Sequence, residues 1–177
     1  MTTGRLLRGA LGTLCYLAGS VSIAAAQDSS FAAMQKRGGM AMGVDQYTSV
    51  HRFDDLANGG RIRLERDRDD TAGAHAIQAH LRGIAKAFAT GDFSTPAFVH
   101  MRAVPGTKDM ADRRRVIRYA FTALPRGGEL RITTSDTTAR RAVHEFLAFQ
   151  RGEHHAAGQD MHDMHGMHDM SRPHTGP

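Results

Sequence analysis

The sequence predicts an α+β fold, in which two strand-strand-helix units form a four-stranded antiparallel sheet with both helices on one face. Two observations lead to this prediction. Alternating apolar residues flank glycine-containing turns at two places in the chain, a pattern typical of β-hairpins. Each hairpin precedes a segment with apolar residues at helical spacing. Packing both helical stripes on one face of one sheet is the simplest way to bury them.

The chain of 177 residues begins with a segment typical of an export signal. Arg5 and Arg8 precede an apolar run that ends in three alanines, the last of which is Ala26. Small residues at this place are what signal peptidase cuts. We therefore expect residues 1–26 to be removed, which makes Gln27 the first residue of a periplasmic protein without stable membrane insertion. An uncleaved anchor is the alternative, but the run is short for a membrane span.

Cysteine usage and charge exclude several classes of protein. The only cysteine, Cys15, lies inside the predicted signal, so the mature chain has neither a disulfide nor a Cys-ligated metal site. The residues before Cys15 do not fit a lipoprotein signal. The net charge is +5, or +3 without Arg5 and Arg8, and the basic residues are interspersed with acidic ones. Nucleic acid is therefore not an expected partner.

The first unit is preceded by a small, polar segment. Residues 27–45 contain Gly38, Gly39 and Gly43 and predict a short flexible arm. The α+β domain then covers residues 46–153. Its first hairpin consists of a strand from Tyr47 to Leu56, a turn at Asn58-Gly59-Gly60 and a strand from Arg61 to Leu64.

A helix follows between Thr71 and Thr90, where Ile77, Leu81, Ile84 and Phe88 form one apolar stripe. Acidic residues up to Asp70 offer N-cap oxygens, and Gly91 ends the helix. Prolines then break up the connection to the second unit.

The second unit repeats this order. Residues 116–124 alternate, a turn contains Gly127 and Gly128, and a second strand follows at 130–133. A helix capped near Asp136 carries Val143, Phe146, Leu147 and Gln150 on one face. The hairpins of the two units match at an offset of 68 residues and the helices at 66. Common ancestry remains open, as do the oligomeric state and whether the units pair within one chain or between two.

The C-terminal tail, residues 154–177, contains no Leu, Ile or Val, so we expect it to be disordered without ligand. Methionine and histidine alternate in it with a period of three, which in an extended polyproline II chain places a thioether edge beside an imidazole edge. Thioethers suit Cu(I) or Ag(I), and imidazoles suit Cu(II), nickel or zinc. Copper fits both. The predicted metal ligands are Met161, His162, Met164, His165, Met167, His168 and Met170, with His154 and His155 upstream.

This tail resembles the Met- and His-rich segments of bacterial periplasmic copper and silver resistance proteins. The resemblance implies capture or buffering of metal by the residues just named. The expected partners are the metal ion and a copper exporter or oxidase of the cell envelope. The competing interpretation is a low-complexity end without a role in the cell.

A weaker metal site is predicted in the domain itself. Met40 and Met42, His51 on the first strand, and His100 with Met101 in the connection offer similar ligands. The competing interpretation is structural, because methionine fills irregular gaps in cores and a single histidine usually has a packing role.

No sequence motif indicates an enzyme. The chain has no nucleophile elbow, zinc-protease motif, phosphate loop or dinucleotide fingerprint. Through segments such as Arg37-Gly38-Gly39-Met40 and His144-Glu145-Phe146-Leu147, the body resembles small exported bacterial proteins without assigned chemistry. Some of these are called aspartate carbamoyltransferases, but this chain lacks the carbamoyl-phosphate motif and is too short for that enzyme.

The sequence therefore predicts an exported copper-binding accessory protein. A second hypothesis is an interaction or small-ligand module of the cell envelope with an incidental tail. A third, a histidine-based enzyme, requires His51, His100 or His144 to meet in a pocket.

Overall fold

The computed structural model describes residues 19–154, with side chains from residue 29 onward. Most of the predicted signal and all of the tail after His154 lie outside the described residues. Two short 3-10 turns, Gln46–Thr48 and Arg114–Val116, complement the main elements. These are α1 (Gly19–Met42), β1 (Ser49–Leu56), β2 (Gly59–Arg66), α2 (Thr71–Thr90), α3 (Ser94–His100), α4 (Thr107–Asp112), β3 (Arg118–Leu124), β4 (Gly127–Thr133) and α5 (Thr137–His154).

The four strands form one antiparallel sheet in the order β1-β2-β4-β3. The predicted α+β fold is confirmed. In the centre of the sheet, Ile62 of β2 lies opposite Leu130 of β4. These two residues occupy the same position in the two units, so a pseudo-two-fold axis passes between them.

The helices cross over between the units. Helix α2 packs on β3 and β4, while α5 packs on β1 and β2. Each helix thus covers the hairpin of the other unit, and the two units share one core within a single chain. That core includes Phe53, Ile62, Leu64, Ile77, Leu81, Phe88, Leu130, Ile132, Val143, Phe146 and Leu147.

Helices α2 and α5 begin where the sequence predicts. The Asp70 carboxylate accepts a hydrogen bond from the Gly73 amide at 2.9 Å, and the Asp136 carboxylate accepts one from the Ala139 amide at 2.8 Å. These bonds satisfy amides that have no partner inside the helix. Helix α2 ends at Gly91, whose φ of 85° continues the chain in the left-handed conformation.

The predicted flexible arm is helical instead. Helix α1 runs through the bond after Ala26, where cleavage is predicted, and reaches Met42. Its inner face follows a spacing of four, since Met34, Gly38 and Met42 are all buried. The side chain of Gln46 lies where a Cβ at Gly38 would stand. Tertiary packing therefore outweighs the low helical propensity of the glycines.

The connection between the units forms two short helices that the sequence analysis did not predict. Pro96 lies in the first turn of α3, where a missing amide hydrogen is tolerated. Helix α3 packs against α1, and the Arg37 side chain donates a hydrogen bond to the Val99 carbonyl at 2.8 Å. Helix α4 packs against α5. Together α1 and α3 close the space beside the β1 edge of the sheet.

No helix within residues 19–154 combines the length and the apolar character needed to span a bilayer.

Candidate functional site

A cavity of about 90 Å³ lies between α1, β1, α2, α3 and α5. Its walls are mainly hydrocarbon, formed by residues such as Phe53, Leu81 and Val99. Into this setting the fold brings four imidazoles, one thioether and two amides. These groups belong to His51, His80, His100, His154, Met42, Gln46 and Gln150. We call this space, with the residues that line it, the imidazole cavity.

His51 contributes a buried ring nitrogen from β1. Alternation along the strand turns His51 and Phe53 towards the helices. The Nε2 atom of His51 has no hydrogen-bond partner among the described residues. Burial, together with the neighbouring His80, lowers the pKa of His51 from 6.5 to about 4. The ring is therefore neutral at neutral pH, the form in which imidazole binds metals.

His80 approaches the cavity from α2. Its Nδ1 donates a hydrogen bond to the Ala41 carbonyl at 3.1 Å, which ties α2 to the end of α1. Burial lowers the pKa of His80, although this hydrogen bond acts in the opposite direction. With the proton on Nδ1, the lone pair of the ring is on Nε2.

His100 closes the cavity at the end of α3. Its Nε2 donates to the Gln150 side-chain oxygen at 3.3 Å, so the lone pair is on Nδ1. That buried Nδ1 makes no hydrogen bond among the described residues and lies 3.8 Å from a carboxylate oxygen of Glu153. Burial lowers the pKa of His100 despite the opposing effects of Gln150 and Glu153. On the solvent side of the cavity, the Arg102 guanidinium forms an ion pair with the Glu153 carboxylate at 2.9 Å.

His154 completes the group from the last turn of α5. Its ring centroid lies 5.6 Å from that of His51 and 5.1 Å from that of His100. Arg151 fixes this turn to β1, because its guanidinium donates to the Phe53 carbonyl at 2.7 Å and to the Asp55 carboxylate at 3.2 Å. These two contacts of Arg151 explain how His154, which was predicted to lie in a disordered tail, takes a defined place.

The structure places some of the weaker predicted ligands together and separates others. Met42, His51 and His100 line the same cavity. Met40 and Met101 do not join them, since they are 68% and 69% exposed. Two residues along a helix turn a side chain to the opposite face, which directs Met40 outwards. Met101 follows the end of α3 with a φ of 53°.

The other predicted ligands of the tail lie outside the described residues. They are His155, Met161, His162, Met164, His165, Met167, His168 and Met170. Of the predicted tail set, only His154 belongs to the described part of the chain.

His80 and Gln150 were not among the predicted site residues. A signal for His80 existed, because it follows Ile77 by three residues and precedes Ile84 by four, which places it beside the apolar stripe. His144 has a different role. Its Nε2 donates to the carbonyls of Gly59 at 2.9 Å and Leu56 at 3.1 Å, which fastens α5 to the turn of the first hairpin.

The imidazole cavity is not a preformed metal cage. Within residues 19–154, no three His, Asp or Glu side chains converge closely enough to enclose an ion as they stand. What the cavity offers is the imidazoles of His51, His80 and His100, whose pKa values burial lowers, the thioether of Met42 and a mainly hydrocarbon wall.

No protein-family model, curated protein or solved structure matches the chain. Proposals about its function therefore start from its own residues.

Proposed function

We propose that this protein is an exported, periplasmic copper-binding accessory protein. It captures, buffers or transfers Cu(I), Cu(II) or Ag(I) through its Met-His-x tail, residues 154–177. The mature chain has no thiol, so thioethers and imidazoles are its only soft or borderline ligands. Copper is the metal whose two common oxidation states suit these two ligand types.

The observation that supports this function best is the place of His154. The first residue of the tail lies between the rings of His51 and His100, at 5.6 and 5.1 Å between centroids. The tail therefore leaves the domain next to ligands of the same chemical type as its own. A tail without a role gives no reason for this proximity.

Metal titration of the full chain tests the proposal. The decisive variant keeps the length of the tail but replaces Met by Leu and His by Gln at residues 161, 162, 164, 165, 167, 168 and 170. We call it the tail-substituted variant. Competition with a chromogenic Cu(I) chelator gives the number of bound ions. We expect the unaltered chain to bind several Cu(I) or Ag(I) ions and the variant to lose most of them. Equal stoichiometry in both proteins would exclude the tail as the capture device.

A second candidate function is a cell-envelope interaction or small-ligand module with an incidental tail. The hydrocarbon walls of the imidazole cavity favour it, because small-molecule sites are mostly apolar with a few polar groups. This alternative requires a partner or ligand that co-purifies equally with the unaltered chain and with the tail-substituted variant, with or without a chelator.

A further inference from the structure

The imidazole cavity contains ring nitrogens that the fold does not use. Nε2 of His51 and Nδ1 of His100 are buried without a hydrogen bond among the described residues. Burial of a polar atom in this condition is unfavourable. For His100 the hydrogen bond from Nε2 to Gln150 fixes the tautomer that leaves Nδ1 free to accept. Outer partners of metal-binding histidines orient the ring in the same way.

Packing does not require imidazole at these positions. Under the pseudo-two-fold relation, His51 corresponds to Tyr119. The helix offset relates His80 to Phe146 and His154 to Phe88. The other half of the molecule thus places carbon rings where the cavity has imidazoles.

The spacing of the rings suits a shared ion. A metal about 2 Å from a ring nitrogen lies about 3 Å from the ring centroid, so two imidazoles that bind one ion at tetrahedral or trigonal angles have centroids about 5 to 5.5 Å apart. The observed separations from His154 are 5.1 Å to His100 and 5.6 Å to His51. Because the three rings do not enclose an ion as they stand, they must move to share one, and the outer torsion of histidine has a broad, shallow energy profile that permits rotation.

The other residues that line the cavity favour some metals over others. Met42, only 5% exposed, lines the cavity with a thioether, the ligand type that favours Cu(I) over zinc. The cavity volume of about 90 Å³ is larger than a single ion. Glu153, at 3.8 Å from the His100 ring nitrogen, supplies a negative charge at the outer side.

We propose that the imidazole cavity is a folded binding site for one soft monovalent ion, Cu(I) or Ag(I), held by His51, His100 and His154 with Met42. It receives the ion that the tail captures, and His154 connects the two. The inference rests on the proposed function for the delivery of metal to the cavity. The site itself requires only the domain.

The tail-substituted variant of the full chain separates the two proposals. We expect it to retain one equivalent of Cu(I) or Ag(I) in the chelator competition. Loss of every ion would overturn the cavity site and leave the tail proposal intact. Retention of all ions would overturn the tail proposal alone.

Further substitutions in the same background locate the remaining ion. His51→Phe and His154→Phe introduce the ring type of the opposite half, and each should weaken Cu(I) binding by about tenfold or more. Met42→Leu preserves volume and should weaken Cu(I) but not Zn(II) binding. His75→Gln and Met40→Leu are exposed controls that should change neither. Full Cu(I) affinity in folded His154→Phe and Met42→Leu variants, with folding checked by circular dichroism, would overturn the proposal.

Discussion

The two edges of the sheet carry aromatic rings at matching positions, but carbon rings fill the β3 edge and imidazoles line the β1 edge. At the β3 edge, Phe88 stacks on Phe93 at 4.3 Å and meets Tyr119 and Phe146 edge-on at 5.8 and 5.7 Å. The Phe88–Tyr119 separation is close to the 5.6 Å between His154 and His51, their counterparts. The backbone thus holds a pair of rings at each edge.

The two edges have rings at the same positions but differ in the chemistry of those rings. Both halves have a flat ring at each of these positions, and phenylalanine or tyrosine occupies them at the β3 edge. Imidazole fills less space and carries nitrogen lone pairs whose burial is unfavourable without a partner. The β1 edge therefore has a cavity and buried ring nitrogens at positions where the β3 edge has carbon rings.

The largest expected effect on the free energy of unfolding comes from a feature that both halves share, a glycine at the close approach of β2 and β4. A Cβ added at Gly59 would meet the carbonyl oxygen of Ile132, and one at Gly127 would meet that of Leu64, its counterpart. Because both oxygens belong to central strands that cannot move aside, Gly59→Ala and Gly127→Ala should each lower the free energy of unfolding by about 4 kcal/mol or more. Urea unfolding followed by circular dichroism measures this.

The matched control is Gly83→Ala on α2, where an added Cβ meets no atom within 4 Å. This substitution should raise the free energy of unfolding by about 0.5 to 1 kcal/mol, because alanine favours helix. Mild effects at Gly59 or Gly127, similar in size to that at Gly83, would contradict the close approach of β2 and β4.

The second effect distinguishes the edges directly. Phe88→Ala removes a fully buried ring and should cost about 3 to 5 kcal/mol of unfolding free energy. His154→Ala removes a partly exposed ring beside an existing cavity, so it should cost about 1 kcal/mol or less. Urea denaturation of the metal-free proteins gives both values. Equal losses would show that His154 supports the fold as much as its counterpart does.

The third effect is a dependence of stability on acid that comes from the buried imidazole of His51 at the β1 edge. The pKa of His51 is about 4 in the folded protein and 6.5 when it is exposed, so protons bind the unfolded chain more tightly. Stability is then fully present above pH 6.5 and decreases as the pH falls towards 4, by about 3 kcal/mol at most from this residue.

Denaturation with a chelator present, at pH 7 and at pH 5, tests this dependence. His51→Phe should reduce the difference in unfolding free energy between the two pH values, whereas His75→Gln, at an exposed position on α2, should leave it unchanged. An undiminished difference in His51→Phe would place the acid sensitivity elsewhere.

Sequence patterns predicted the elements that depend on local interactions. The bounds of α2 follow from Asp70, the apolar stripe and Gly91, all within about twenty residues. The hairpins follow from alternation and turn residues. The α1 helix was missed because its glycines oppose helix formation locally, while the burial of Met34 and Met42 depends on distant elements.

The candidate site was predictable only in part for the same reason. Its residue types were recognised at Met42, His51 and His100, but their meeting with His154 depends on the buried contact between Arg151 and Asp55, which lie 96 residues apart in the chain. The spacing of residues along the chain does not predict such a contact. The sequence pairs Met40 with Met42, but in a helix residues two apart point to different faces.

The crossing of the helices also determines when the protein can fold. Helix α2 packs mainly against β3 and β4, which follow it in the chain, and the first hairpin remains uncovered until α5 is complete. A chain that emerges from the ribosome therefore stays open until nearly the whole of residues 19–154 is available. This delay keeps the nascent chain in the unfolded form that passes through a secretion channel, which suits the proposed export.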